Sequence, residues 1–190
     1  MRLFVAAEPS DAVRAAAAAC VQHLRGRLDV AASSGIRWVP AANLHLTVWF
    51  LGEVSEPRAT AVLDALRQPL DLAPFDLHVA GFGAFPPSGP PRVLWMGLRT
   101  GLAALARAHD EIGGRLLPWG FAPEGRPYSA HLTIARVKEV PRGVARALRD
   151  GIAHEPADAG GCRIQELAVF RSRTSPNGAI YERLLRVPLR

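Results

Sequence analysis

Asn43-Leu44-His45-Leu46-Thr47-Val48-Trp49-Phe50-Leu51-Gly52 and Ser129-Ala130-His131-Leu132-Thr133-Ile134-Ala135-Arg136-Val137 carry the same tripeptide, His-Leu-Thr, followed each time by a β-branched residue. Six histidines and five threonines scattered over 190 residues would place a threonine two after a histidine less than once. The flanking residues are aliphatic or β-branched, which favours extended strands. In a strand, residues two apart share a face and lie roughly 6.6–7 Å apart. Each tripeptide therefore presents an imidazole and a hydroxyl together and turns its leucine to the core. Two such strands facing one another surround one pocket with two imidazoles and two hydroxyls, a set suited to acid–base chemistry on a phosphate.

Working outward, Arg2 to Ala7 reads as a strand, and Ser10 or Asp11 caps a helix reaching about Leu28. Val13, Cys20, Val21, Leu24 and Leu28 form its apolar stripe. Ile36 to Val39 is a short extended piece, Leu44 to Leu51 the first motif strand, and Pro57 to Arg67 a helix. Strands follow at Phe75 to Phe82 and Val93 to Leu98, joined across a proline-rich turn, Pro86 to Pro91. Thr100 caps a helix to about Leu117, Ser129 to Val137 is the second motif strand, and Pro141 to Gly151 a further helix. Strands at Ile164 to Arg171 and Ile180 to Leu189 close the chain around the polar turn Thr174 to Gly178. Several strand pairs have hairpin-length connections, so the fold class is α+β with antiparallel sheet rather than doubly wound α/β. Each half holds a strand, a helix and one motif strand. The expected architecture is bilobal: two antiparallel-sheet lobes related by a pseudo-two-fold axis, with helices outside and a central cleft. Residues 1–190 then make a single domain of two intertwined lobes.

Composition narrows the class. Hydrophobic residues at 49% and charged residues at 21% describe an ordinary globular chain. No apolar run approaches the roughly 18–20 residues that span a bilayer, and Leu3 to Ala7 is too short for a signal segment. Cys20 and Cys162 form no paired motif and read as reduced, buried thiols of a cytoplasmic protein. A net charge of +6 favours anionic partners, nucleic acid among them. There is no His-Glu-x-x-His, Gly-x-Ser-x-Gly or P-loop pattern.

The flanks of the two tripeptides resemble a known family. Trp38-Val39-Pro40-Ala41-Ala42-Asn43-Leu44-His45-Leu46-Thr47-Val48-Trp49-Phe50-Leu51-Gly52 resembles the first motif of the 2H phosphoesterases, and Arg126-Pro127-Tyr128-Ser129-Ala130-His131-Leu132-Thr133-Ile134-Ala135-Arg136-Val137-Lys138 the second. More closely, the chain is similar to the RNA 2',3'-cyclic phosphodiesterases, also called 2'-5' RNA ligases, from Arg2-Leu3-Phe4-Val5-Ala6 through Ser175 to Glu182. One departure is Trp49, at a position that is commonly lysine in relatives. The resemblance implies two lobes with the histidines in the central cleft and hydrolysis of a ribose 2',3'-cyclic phosphate to a 2'-phosphate without a metal or other cofactor. It also implies His131 as the group that activates water and His45 as the proton donor.

The chemistry itself needs water deprotonated on one side of phosphorus and the departing ribose oxygen protonated on the other. An ordinary histidine titrates near pH 6.5, so one neutral and one protonated imidazole coexist near neutrality. Thr47 and Thr133 are placed to donate to the nonbridging oxygens as charge develops. Arg136 is a further phosphate-binding candidate, but strict alternation from His131 turns it away unless a bulge intervenes. Trp49 shares parity with His45 and Thr47 and is expected to face the cleft, where it either stacks on a base or packs at the lobe boundary. Tyr128 and Phe4 are candidates for base contact, with core packing as the alternative. His23, His78, His109 and His154 lack motif partners and read as structural or exposed. The expected partners are RNA ends or small cyclic nucleotides, and the expected state is a monomer. Competing readings are a 2'-5' ligase or 2'-5' phosphodiesterase using the same pocket, and an RNA- or nucleotide-binding module without catalysis. The presence of both histidines and both threonines argues against the last.

Overall fold

A computed structural model describes residues 1–28, 35–123, 125, 127–138, 140–175 and 178–190. Arg126 of the second motif, Pro176 and Asn177 of the closing turn and the side chain of Leu28 lie outside the described residues. The elements are β1 (Arg2–Ala7), α1 (Asp11–Leu28), β2 (Ile36–Trp38), β3 (Leu46–Glu53), α2 (Glu56–Ala65), β4 (Phe75–Phe85), β5 (Val93–Thr100), α3 (Leu102–Leu116), β6 (Leu132–Val137), α4 (Arg142–His154), β7 (Asp158–Ile164), β8 (Glu166–Ser175) and β9 (Gly178–Pro188). Among the described residues no helix is long and apolar enough to cross a membrane.

The strands form one sheet in the order β7-β4-β5-β6-β3-β1-β8-β9, with β2 paired to β6. Every named pairing is antiparallel. The fold is therefore α+β, as the hairpin-length connections predict. The halves meet where β3 pairs with β6, and that pairing is a single residue pair, Leu46 with Leu132. Outward from this junction each half runs motif strand and then three antiparallel neighbours, an order compatible with a pseudo-two-fold relation.

Burial divides the sheet into two faces. Val5, Leu46, Val48, Leu94, Met96, Leu132, Ile134 and Val169 are almost fully buried and belong to the main core with the apolar sides of the helices. Burying a leucine such as Leu46 or Leu132 contributes about 1.5–3 kcal/mol. The opposite face carries both histidines and a small separate cluster of Phe4, Ala6, Ala168 and Phe170. The helices cross between halves: α1 follows β1 yet packs on β7 and α4, whereas α3 follows β5 and packs on β3.

Local chemistry sets the boundaries. The Ser10 hydroxyl accepts the Val13 N–H at 3.3 Å and caps α1, whose first turn holds Asp11 and last turn Arg25 and Arg27, complementing the helix dipole. Thr100 is not a cap, contrary to expectation. It remains in the β5 ladder opposite His78, and Gly101 caps α3 with φ of 92°, where a Cβ would fall 2.9 Å from that of Leu77. The helix expected to stop at Gly151 continues to His154. The strand expected from Ile164 to Arg171 is two strands: Ile164 ends β7, an edge strand the sequence reading missed, and Glu166 begins β8. Gly160 and Gly161 hid β7, and the close approach of its partner requires one of them, since a Cβ on Gly161 would lie 2.9 Å from the Leu77 carbonyl. Cys20 and Cys162 are free and half-buried rather than buried.

Candidate active site

His45 and His131 each stand one residue before a motif strand begins, and the backbone holds them alike. His45 Nδ1 lies 2.8 Å from the Asn43 carbonyl, and His131 Nδ1 lies 2.7 Å from the Ser129 carbonyl, two residues upstream in both cases. A carbonyl only accepts, so Nδ1 carries the proton and Nε2 is left for chemistry in each ring. The Asn43 amide is itself tied to the Ala179 carbonyl at 2.7 Å, which anchors the turn ahead of β3 to β9.

Each imidazole sits among aromatic rings from neighbouring strands. His45 lies 4.8 Å from Phe4 and meets Tyr181 edge-on at 5.1 Å. His131 meets Phe85 edge-on at 5.0 Å and lies 6.3 Å from Trp95. The indole of Trp95 lies directly over Gly83, where a Cβ would fall 2.2 Å from the ring. The pairing of Leu46 with Leu132 also sets the threonines: one antiparallel step either side puts Thr133 level with His45 and Thr47 level with His131. Each threonine is thus level with the histidine of the other motif, and both threonines are half-buried.

The rings differ electrostatically. Burial pulls both below the ordinary histidine pKa, because it penalises the charged form. In both, the backbone carbonyl opposes this and the Arg136 guanidinium adds to it. His45 alone also feels Glu8, which favours its protonated form, and the neighbouring His131, which disfavours it. Glu8 lines a cavity of about 80 Å³ with Phe4, Asn43, His45, Phe170 and Tyr181, and it is paired with Arg14 and Arg183. A larger cavity of about 400 Å³ lies at the β4–β7 edge beside Arg99, Glu155 and Asp158. There Arg99 and His78 are already engaged by Asp158, at 2.8 and 2.6 Å, so its size does not make it the better candidate. Among the described residues there is no group of three or more His, Cys, Asp or Glu able to hold a metal.

Two β-bulges decide where the remaining candidates point. In β3, Val5 pairs with Trp49 and Ala6 with Thr47, so Val48 is an extra residue. Parity is reversed beyond it. Trp49, expected in the cleft, is 6% exposed on the helix side, 4.7 Å from His109 and against Gly113 of α3. In β6, Leu94 pairs with Ala135 and Trp95 with Thr133, so Ile134 is the extra residue. Ala135 is buried in the core and Arg136 returns to the histidine face, exposed. Tyr128 is not a free base-contacting group: its ring stacks on His109 at 4.5 Å and its hydroxyl donates to the Thr47 carbonyl at 3.0 Å. Burial raises its pKa far above the usual phenol value. Phe4 is on the site face but only 4% exposed, so it supports His45 from beneath. Sequence reading missed Glu8, Phe85, Trp95 and Tyr181, which reach the histidines through strand register and carry no local signature.

The chain belongs to the LigT like phosphoesterase family, whose pattern matches residues 12–95 and 99–181. It is 32% identical over 184 residues to an RNA 2',3'-cyclic phosphodiesterase of Archaeoglobus fulgidus, covering 97% of this chain and 98% of that one. It is also 32% identical over 183 residues to one of Methanocaldococcus jannaschii, covering 96% and 97%. A solved Thermus thermophilus structure superposes with a TM-score of 0.74 at 28% identity, covering 100% of this chain and 98% of that one. E. coli LigT complexed with 3'-AMP superposes with a TM-score of 0.73 at 26% identity, covering 99% and 97%.

Proposed function

We propose that this chain hydrolyses the 2',3'-cyclic phosphate of RNA ends or nucleosides to a 2'-phosphate, with His131 as base, His45 as acid and no metal. The observation that carries this is the matched pair of imidazoles, each with Nδ1 fixed by a carbonyl and Nε2 free, flanking one antiparallel pair of residues. Relatives across nearly the whole chain are named for that activity.

Neutral His131 Nε2 takes a proton from water as the water oxygen bonds to phosphorus. The bond from phosphorus to the 3'-oxygen breaks, and His45 Nε2–H protonates that oxygen. The product is a 2'-phosphate monoester, with His131 charged and His45 neutral until protons re-equilibrate. Glu8 favours the protonated form of His45 alone, which supports the assignment of donor and acceptor. Thr47 and Thr133 hydroxyls and the Arg136 guanidinium stabilise the charge that develops on the nonbridging oxygens. The site is assembled by two motifs of one chain whose helices cross between halves, which supports a single domain acting as a monomer. Two free thiols suit a reducing compartment such as the cytoplasm.

The test is turnover of a nucleoside 2',3'-cyclic phosphate and of a cyclic-phosphate-ended RNA in excess chelator, with products identified by phosphorus NMR. A 2'-phosphate, undiminished by chelator, is expected. His45→Ala and His131→Ala should each lose about 10²–10⁴-fold in kcat. A 3'-phosphate product, or turnover that vanishes on chelation, overturns the mechanism.

A further inference from the structure

The backbone joins the two motif strands at one residue pair, Leu46 with Leu132, and no other pair of described residues links β3 to β6. A side chain supplies the next tie between them. Tyr128 stands three residues before His131, and its hydroxyl donates to the Thr47 carbonyl at 3.0 Å, 81 residues away along the chain. The following residue, Ser129, holds His131 Nδ1 on its own carbonyl at 2.7 Å. Two consecutive residues thus grip both members of one half-site, the imidazole of the second motif and the threonine of the first. The other half-site is anchored outward instead, since Asn43 holds His45 and is itself tied to Ala179 of β9. The Tyr128 ring is fixed as well. It lies face to face with the His109 imidazole, 4.5 Å apart at 16°, and His109 lies 4.7 Å from Trp49. Trp49 rests in turn on Gly113, about one turn further along α3. One column of three rings therefore joins the segment before β6, α3 and β3. Burial raises the Tyr128 pKa far above the usual phenol value, so its hydroxyl keeps the proton it donates.

We propose that Tyr128 is a positioning residue of the reaction: its hydroxyl fixes how far the Thr47 hydroxyl stands from the His131 imidazole. This rests on the phosphodiesterase reading, in which Thr47 donates to the phosphate attacked by the water that His131 activates. Tyr128 acts through the Thr47 backbone and needs no contact with substrate. Its tie falls where the sheet holds Thr47 least. The pairing with β6 ends one residue earlier, at Leu46, and the ladder with β1 is interrupted one residue later, at the bulged Val48. A hydroxyl donating to this carbonyl supplies a cross-motif bond that the β3–β6 ladder does not. A misplacement of about 1 Å between reacting groups costs on the order of 10²-fold in rate. Losing one hydrogen bond while the stacked ring stays in place should cost part of that, about tenfold.

The experiment is a double-mutant cycle in kcat on a nucleoside 2',3'-cyclic phosphate, built on Tyr128→Phe, which removes the hydroxyl and keeps the ring. Alone, Tyr128→Phe should lower kcat about tenfold and leave KM within about twofold. Thr47→Val keeps the β-branched shape and removes the hydroxyl being positioned, so in that background Tyr128→Phe should cost no more than about twofold. Thr133→Val is the control, because Thr133 is level with His45 and has no tie to Tyr128; there the full cost should remain. A merely structural hydroxyl would give the same loss in every background. That result overturns the proposal, as does an unchanged kcat in Tyr128→Phe or a loss confined to KM. No turnover by wild type would remove the phosphodiesterase reading and this proposal together, whereas turnover with equal losses removes this proposal alone. Tyr128→Phe keeps its buried ring and should melt within about 6 °C of wild type, so kinetics well below that melt report folded protein.

Discussion

Gly83→Ala is the most direct test of how the sheet seats His131. Gly83 on β4 pairs with Trp95 on β5, and a Cβ at Gly83 would lie 2.2 Å from two atoms of the indole. Carbon atoms in contact ordinarily sit about 3.5–4.0 Å apart, so the ring must retreat by about 1.5 Å. On one side stands Phe85, 5.3 Å away, and beyond it His131, 6.3 Å from Trp95. Overpacking of this kind costs about 1–3 kcal/mol. For a chain of this length each kcal/mol lowers Tm by about 2–4 °C, so a fall of roughly 2–12 °C is expected. Catalysis should suffer more than stability, because a misplacement of about 1 Å at a reacting group costs on the order of 10²-fold.

The assay is a double-mutant cycle with Trp95→Ala, read by thermal melting and by kcat/KM on a cyclic nucleotide. In the Trp95→Ala background the added methyl meets open space, so Gly83→Ala should cost little there. Equal costs in the two backgrounds, or a Gly83→Ala protein with unaltered Tm and turnover, would refute the seating of the indole on the glycine.

Two further outcomes follow from the site. Glu8→Gln removes the one carboxylate that favours protonated His45 and so lowers that pKa further; one limb of the pH–rate profile should move to lower pH, while movement of both limbs or neither contradicts the assignment of Glu8 to His45. Trp49→Leu should destabilise the protein by about 1–3 kcal/mol in urea unfolding while leaving KM for nucleotides within about twofold, because the indole packs on Gly113 rather than in the cleft; raised KM with unchanged stability would return it to the cleft.

The grouping of the candidate side chains was legible because parity along an extended chain is local: His45 with Thr47 and His131 with Thr133 needed only the period of two. Parity failed where a bulge intervened. Val48 and Ile134 are β-branched residues like any others in a strand, and nothing in their identity marks an unpaired residue. The same kind of defect therefore acts in opposite senses: it takes Trp49, expected in the cleft, to the core side, and it supplies the bulge that Arg136 needs to reach the site face. The missed strand β7 had a different cause, since Asp158-Ala159-Gly160-Gly161 has poor β propensity and is tolerated only at the sheet edge. Trp95 and Tyr181 were invisible because they approach the histidines from strands far away in sequence, and Glu8 because it does so from just beyond the end of β1.

The bulges also show where the two copies of the motif stop being equivalent. Each copy runs histidine, threonine, a bulged residue and a buried residue, and then returns one side chain to the site face. In β3 that side chain is Phe50, opposite Phe4 and 49% exposed, with the Arg2 guanidinium 5.5 Å from its ring. In β6 it is Arg136, opposite Arg37. Two identical histidine–threonine pairs have no means of distinguishing attacking water from leaving ribose oxygen. Whatever sets the direction of reaction must lie outside the tripeptides. Outside them the two halves differ in three ways: Phe50 ends one motif on the site face, Arg136 ends the other, and Glu8 acts on His45. Glu8 favours the proton on His45, the ring proposed as the donor.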